Sequence, residues 1–287
     1  MEKELAFAWQ SGLFLIICLG LFFIAKLIFK MFNPKINLGS ELVDKDNTAF
    51  YIVYICYFLG FLLIVGGIMN SESSGDFLQE ITYTLAYGLV GVFLLNIITI
   101  IMDRFVHTSL KLWDEVIEKT NIAIGVLKGG NYLSAGIIIS GVMLTEVDRP
   151  IQAAVFLVFA LVIASIGFVY YNLTTPFNAK TEIYKGNIAV AISAAGAQVA
   201  FAILIYAGFQ IEHTSWVDSL ISIGIDVLGG IIILPLIRLI VEKAFISKHR
   251  KITDEMINQD VPNVGLGMFE AGAYIGGALL FIWCWNL

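Results

Sequence analysis

A chain of 287 residues that is 59% hydrophobic and 14% charged lies far from the soluble balance of roughly half apolar and a quarter charged, and its mean hydropathy is +0.86. That composition describes a membrane protein. The net charge of −6 comes without the basic face that nucleic-acid binding needs, and His107, His213 and His249 are scattered singly, so neither a metal site nor a cofactor is expected.

In chain order, eight apolar runs are long enough for the roughly 20 residues that about 30 Å of hydrocarbon demands: 8–29, 48–69, 81–102, 122–144, 151–171, 188–209, 217–240 and 264–285. They are continuous rather than alternating, which excludes a β-barrel. The expected fold is therefore all-α, a polytopic membrane bundle of eight transmembrane helices. The first run follows an acidic stretch, Glu2-Lys3-Glu4, and precedes no small-residue cleavage site, so it reads as a retained helix and not as a signal peptide.

The connections after the first, third, fifth and seventh runs, with the helix ends leading into them, carry every basic residue except Lys3, Lys128 and Arg149. The positive-inside rule puts these connections in the cytoplasm and both termini outside it. Trp9, Trp216, Trp283 and Trp285 fall at outer ends of the runs, as an interfacial belt would place them. Cys18, Cys56 and Cys284 lie inside the runs without pairing or metal-ligand spacing and are expected to be reduced, packed thiols.

Every even-numbered run opens on the same phrase: "DNTAF" at Asn47, "TNIAIG" at Asn121, "GNIAVA" at Asn187 and "PNVGLG" at Asn263. Asparagine at a helix start accepts from amides that would otherwise be unpaired at the membrane boundary. Asn47 to Asn187 spans 140 residues and Asn121 to Asn263 spans 142. The chain is thus read as a tandem duplication of a four-helix unit, 1–146 and 147–287, with a weaker two-helix repeat inside each half. A two-helix unit returns the chain to its starting side, so all copies point the same way. "DRFVHTSLKLWDEVIEKTN" keeps Phe105, Val106, Leu110, Trp113, Val116 and Ile117 on a helical period, and "EKAFISKHRKITDEMINQD" repeats the idea with Asp254-Glu255 in place of Asp114-Glu115. Both read as amphipathic helices on or beyond the cytoplasmic face.

The stretch "TPFNAKTEIYKGNIAVA", with Pro176, Glu182 and Asn187, resembles the helix-linking motif of the YjfL-like bacterial inner-membrane proteins, classed as domain of unknown function 350. "NPKINLGSELVDKDNTAF" is a looser copy. The glycine-bearing helix, linker, asparagine and glycine-rich helix of that family look like "LAYGLVGVFLLNI" through "WDEVIEKTNIAIG", and again like residues 217–285. The resemblance covers nearly the whole chain and implies two fused copies of a four-helix unit in a bacterial inner membrane. It also implies an envelope-stress or polyamine-linked setting, because some relatives are encoded beside phage-shock-like proteins and a glutathionylspermidine-synthase-like ligase. No catalytic residue comes with it.

Lys128 stands seven residues after Asn121, and Glu270 stands seven after Asn263, about 10 Å into each helix at 1.5 Å per residue. Intramembrane charges are costly and are functional candidates by default. Gly125/Gly129 and Gly272/Gly276 offer GxxxG spacing for close helix approach, so the fourth and eighth helices are expected to meet near a pseudo-two-fold axis. There Lys128 and Glu270 either pair, snorkel or bond elsewhere, or line a path, with Asn131 extending the polar face. Asp226 in the seventh run is a further candidate, matched by Tyr87 in the first half. Gln198 and Pro235 are weaker ones, marking an interhelical hydrogen bond and a kink. Two functions follow. One is a channel or transporter for an ion or small polar solute. The other is a non-transporting scaffold whose linkers recruit a cytoplasmic envelope-stress protein. No Ser/His/Asp set, Cys/His pair or paired carboxylate points to an enzyme, and the sequence leaves the oligomeric state open.

Overall fold

The repeated asparagine fixes where the inner helices start. In a computed structural model describing residues 2–71, 75–105, 112–145, 150–210, 215–245 and 251–285, Oδ1 of Asn47, Asn121, Asn187 and Asn263 accepts from the backbone N–H of Phe50, Ile124, Val190 and Leu266, at 3.1–3.3 Å. Each cap opens a long helix: α2 (Thr48–Met69), α5 (Ile122–Thr145), α8 (Ile188–Gln210) and α11 (Val264–Trp285). Before each comes a longer or equally long partner: α1 (Glu2–Phe32), α3 (Phe77–Phe105), α6 (Pro150–Thr174) and α9 (Trp216–Phe245). α9 runs unbroken through Pro235.

Short elements fill the linkers: a π-helical turn at Ser40–Asp44, then α4 (Leu112–Ile117), α7 (Ala179–Tyr184) and α10 (Ile252–Ile257). All four linkers close in the same way. The backbone N–H of each repeated asparagine donates to the carbonyl of the glutamate in the preceding short element, Glu41, Glu115, Glu182 or Glu255, at 3.0–3.1 Å. Sequence reading found the linkers after the third and seventh runs but not the turn at Ser40–Asp44 or α7. A single turn has no periodicity to detect, and its glutamate–asparagine spacing varies.

Among the described residues, seven helices are long and apolar enough to cross a membrane. The expected span at 151–171 falls within the 25-residue α6, part of whose side chains lie outside the description. Phe105 is described by its backbone only, and Val106, His107, Leu110, His213 and His249 lie outside the described residues.

The helices form two layers. α2 packs on α5, α5 on α8 and α8 on α11, giving an inner row; α1, α3, α6 and α9 lie against that row as a second layer. This arrangement corrects the expected meeting of the fourth and eighth helices, because α8 stands between α5 and α11. Gly125 and Gly129 serve the α2–α5 contact: a methyl on Gly125 would fall 2.6 Å from the Ala49 carbonyl oxygen, and one on Gly129 would fall 2.9 Å from Cys56 Sγ. Gly272 and Gly276 face nothing within 4 Å. The duplication places equivalent helices one step apart in a row, so its glycines meet the next helix along and not their own copies.

Trp9 and Trp283 are exposed, as expected of belt residues. Cys18 and Cys56 are partly buried free thiols, whereas Cys284 is exposed, against the expectation of a packed thiol. It sits in the last turn of α11, next to the exposed Trp283.

Candidate functional site

Lys128 and Glu270 do not pair. Each is almost wholly buried, and each takes its counter-ion from the long helix preceding it in its own half. Lys128 Nζ binds Asp103 Oδ2 from the end of α3; Glu270 Oε1 binds Arg238 Nε from α9. The reason is proximity: α3 packs on α5 and α9 on α11, while α8 separates the two inner helices that carry Lys128 and Glu270.

The first cluster is closely tied. Asn131, one turn after Lys128, donates from Nδ2 to Asp103 Oδ1 at 2.9 Å, so both carboxylate oxygens are engaged. Gln198 on α8 donates to Asn131 Oδ1 at 3.0 Å, which extends the network from the first half into the second. The Lys128 ammonium also lies 4.3 Å from the ring centroid of Trp113 on α4, a cation–π distance. Moving an ion into low dielectric costs several kcal/mol, recovered only when its geometry and remaining hydrogen bonds are well provided. Here Asp103, Asn131 and Trp113 supply them.

The second cluster has the charges exchanged. On the register that matches Tyr87 with Asp226, Asp103 corresponds to Glu242 and Thr99 to Arg238. The basic group therefore enters α9 one turn deeper, and the acid stands on α11. Ser193 Oγ on α8 donates to Glu270 Oε2 at 2.6 Å. Around this pair stand Tyr170 and Tyr171 of α6 and Tyr274 of α11, all buried and all interacting electrostatically with Arg238. The rings of Tyr171 and Tyr274 are 6.2 Å apart, edge to face. Among the described residues none of the three hydroxyls makes a well-formed hydrogen bond, although Ser193 stands close to Tyr171. An unsatisfied buried donor costs on the order of 1–3 kcal/mol, so three of them beside one ion pair make this the more costly of the two clusters.

Asp226 is buried on α9, and among the described residues its Oδ2 has no partner. Gln198, a weak candidate from sequence, turns out to be the polar link between the halves. Asp103 and Arg238 were missed as partners because both lie near helix ends and count there as ordinary boundary charges. The usable signal was Arg238 within "PLIRLIV", a cation flanked on both sides by apolar residues.

The repeated asparagines do more than cap. Nδ2 of Asn47 donates to the Val116 carbonyl of α4 at 2.9 Å, that of Asn121 to the Tyr184 carbonyl of α7 at 3.1 Å, and that of Asn187 to the Met256 carbonyl of α10 at 2.8 Å. Each unit is thereby fastened to the linker of the next.

Two copies of one pattern, in linkers, caps and buried pairs, are what a duplicated domain leaves behind. A model of the family described as a Domain of Unknown Function (DUF350) matches residues 4–143 and again residues 145–285. The chain belongs to the DUF350 family. No curated protein and no solved structure matches it. The two DUF350 copies therefore supply an architecture, and their chemistry has to be read from the clusters themselves.

Proposed function

We propose that this DUF350 protein is a bacterial inner-membrane transporter or channel for an ion or small polar solute, and that the solute passes through the second cluster. The reading takes α6 as an eighth span, with the linkers cytoplasmic, in line with their excess of lysine and arginine. One observation carries it: the Arg238–Glu270 pair lies about 10 Å into the apolar layer, at 1.5 Å per residue from the helix start, beside three tyrosine hydroxyls without a well-formed hydrogen bond among the described residues. Buried polar groups are nearly always partnered, and intramembrane ionisable groups mark substrate or ion paths far more often than surface charges do. A path along an axis between α5 and α11 has no support, because α8 occupies that position. The scaffold reading has less to stand on: among the described residues of the first amphipathic linker, Leu112 and Val116 are buried against the bundle and leave little apolar surface for a partner.

The test is flux in proteoliposomes over a panel of monovalent and divalent ions and polyamines. Wild-type protein should pass at least one of them, and Glu270→Gln and Tyr171→Phe should reduce that flux. Vesicles that remain sealed to the whole panel would refute the transport reading and leave recruitment as the alternative.

A further inference from the structure

The row of inner helices does not close on itself, and its two ends are not alike. Inside the chain, α5 meets α8 at a junction built from small residues. A methyl on Gly130 would fall 2.7 Å from Ala195 Cβ, and Ser134 and Ile138 are buried along the same stripe. The repeat carries Gly130, Ser134 and Ile138 onto Gly272, Gly276 and Leu280 of α11. There the stripe is uncovered: nothing lies within 4 Å of a methyl on either glycine, and Leu280 is 57% exposed. The other half of the junction, Ala195 and Ala202 on α8, maps onto Ile55 and Leu62 of α2, which are 55% and 51% exposed.

A second observation at the same two ends is independent of the stripe. Asn47, Asn121 and Asn187 each fasten the linker of the following unit. Asn263 belongs to the fourth unit, and no linker is placed against it among the described residues. Its Oδ1 caps α11, its residue is exposed, and among the described residues its amide nitrogen donates to no group that parallels the other three fastenings. Conversely, no asparagine side chain among the described residues fastens the first linker, at Ser40–Asp44, from another unit, and Val43 there is 79% exposed. One end thus presents a free fastener with a small-residue groove, and the other presents an unfastened linker with projecting Ile55 and Leu62.

We propose that a second copy of this chain seats its α2 end on the α11 end of the first, head to tail, rebuilding between chains the α5–α8 junction found within each. Asn263 then takes the first linker of the neighbouring copy, and Gly272 and Gly276 receive Ile55 and Leu62 at matched depth, since Gly272 lies nine residues past Asn263 and Ile55 eight past Asn47. Ala273 and Phe58 replace the Asn131–Gln198 hydrogen bond at this outer junction, so it forms on close packing alone, as small-residue helix contacts in lipid do. Such a contact is heterologous and yields a ring or an open series in place of a symmetric dimer. The inference is independent of transport.

The experiment is oxidative crosslinking of the full chain in native membranes, with Cys18, Cys56 and Cys284 replaced by alanine and Ile55→Cys combined with Gly272→Cys. Each single variant is one control, and Leu19→Cys with Leu236→Cys, two exposed positions at no repeat junction, is another. Bands at two and more multiples of the chain are expected only for the Ile55/Gly272 pair, with their loss when Gly276→Trp is added. Single-molecule photobleaching of the cysteine-containing wild type in dilute vesicles should show more than one copy per spot. Gly276 has open space around it, so the tryptophan variant should keep the protomer's melting behaviour. Single-step bleaching, or equal bands from the Leu19/Leu236 control, would overturn the proposal and assign both faces to lipid.

Discussion

The two halves of this protein solve the same problem with opposite charges and different thoroughness. In the first, Lys128 is enclosed by Asp103, Asn131 and Trp113, and the carboxylate has a donor for each oxygen. In the second, Glu270 meets Arg238 and Ser193, but three tyrosine hydroxyls beside them lack a well-formed hydrogen bond among the described residues. Duplication preserved the depth of the buried charge and left its sign and surroundings free to change. The lesson is that a buried ion pair can serve as a brace when both oxygens of its carboxylate are engaged, as at Asp103, and becomes a candidate site when its surroundings are left with unused donors.

The largest test of that contrast is Lys128→Met. It leaves the partly buried Asp103 beside an apolar group and should destabilise the protein by up to about 3–5 kcal/mol, the cost of removing one partner of a fully buried pair. The double variant Lys128→Met/Asp103→Leu should regain most of the loss. Thermal unfolding in detergent checks both, and a single variant with wild-type stability would mean that the first cluster is no brace. In the second half, Tyr171→Phe and Tyr274→Phe should behave differently. Deleting a hydroxyl without a partner removes a penalty of about 1–3 kcal/mol, so stability should hold or rise while solute flux falls. A clear drop in melting temperature would show that these hydroxyls are already satisfied.

Asn187→Ala and Asn263→Ala sharpen the comparison at the linkers. Loss of a helix cap costs about 1 kcal/mol. Asn187→Ala loses in addition a buried donor to Met256, so in dilute detergent it should cost about 1 kcal/mol more than Asn263→Ala. Equal costs would mean that the fastening bond adds nothing.

The smallest effect concerns Glu115 in α4. Burial works to raise its carboxyl, but hydrogen bonds from Lys119 and Tyr184 outweigh that and hold it below the usual carboxylate range. A depressed folded-state value means stability that is present above the unfolded carboxylate range and is lost as pH falls through the depressed one. Glu115→Gln should flatten that part of the stability–pH curve, and the unchanged slope in a pH titration of unfolding would contradict the assignment.

Much of this was legible in the chain itself. The apolar runs specify helices because lipid offers no hydrogen bonds to an open backbone. The four asparagines mark the helix starts because their side chains cap locally, within three residues. Lys128, Asn131, Glu270 and Asp226 stood out because polar groups inside apolar runs are expensive wherever the helices go. The partners of those groups were not legible. The repeat aligned Lys128 with Glu270 and invited a pair across an axis, but alignment reports equivalence, not adjacency. Whether equivalent helices touch depends on how the units stack, and close packing at Gly125, Gly130 and Gly196 lays them side by side in a row. Only that tertiary arrangement puts α8 between the two charges, brings Asp103 and Arg238 inward to meet them, and leaves Asn263 at an open end. Local capping and burial act over a few residues and can be read from a sequence; the choice of neighbour rests on contacts between distant segments, where the packing of whole helix faces decides.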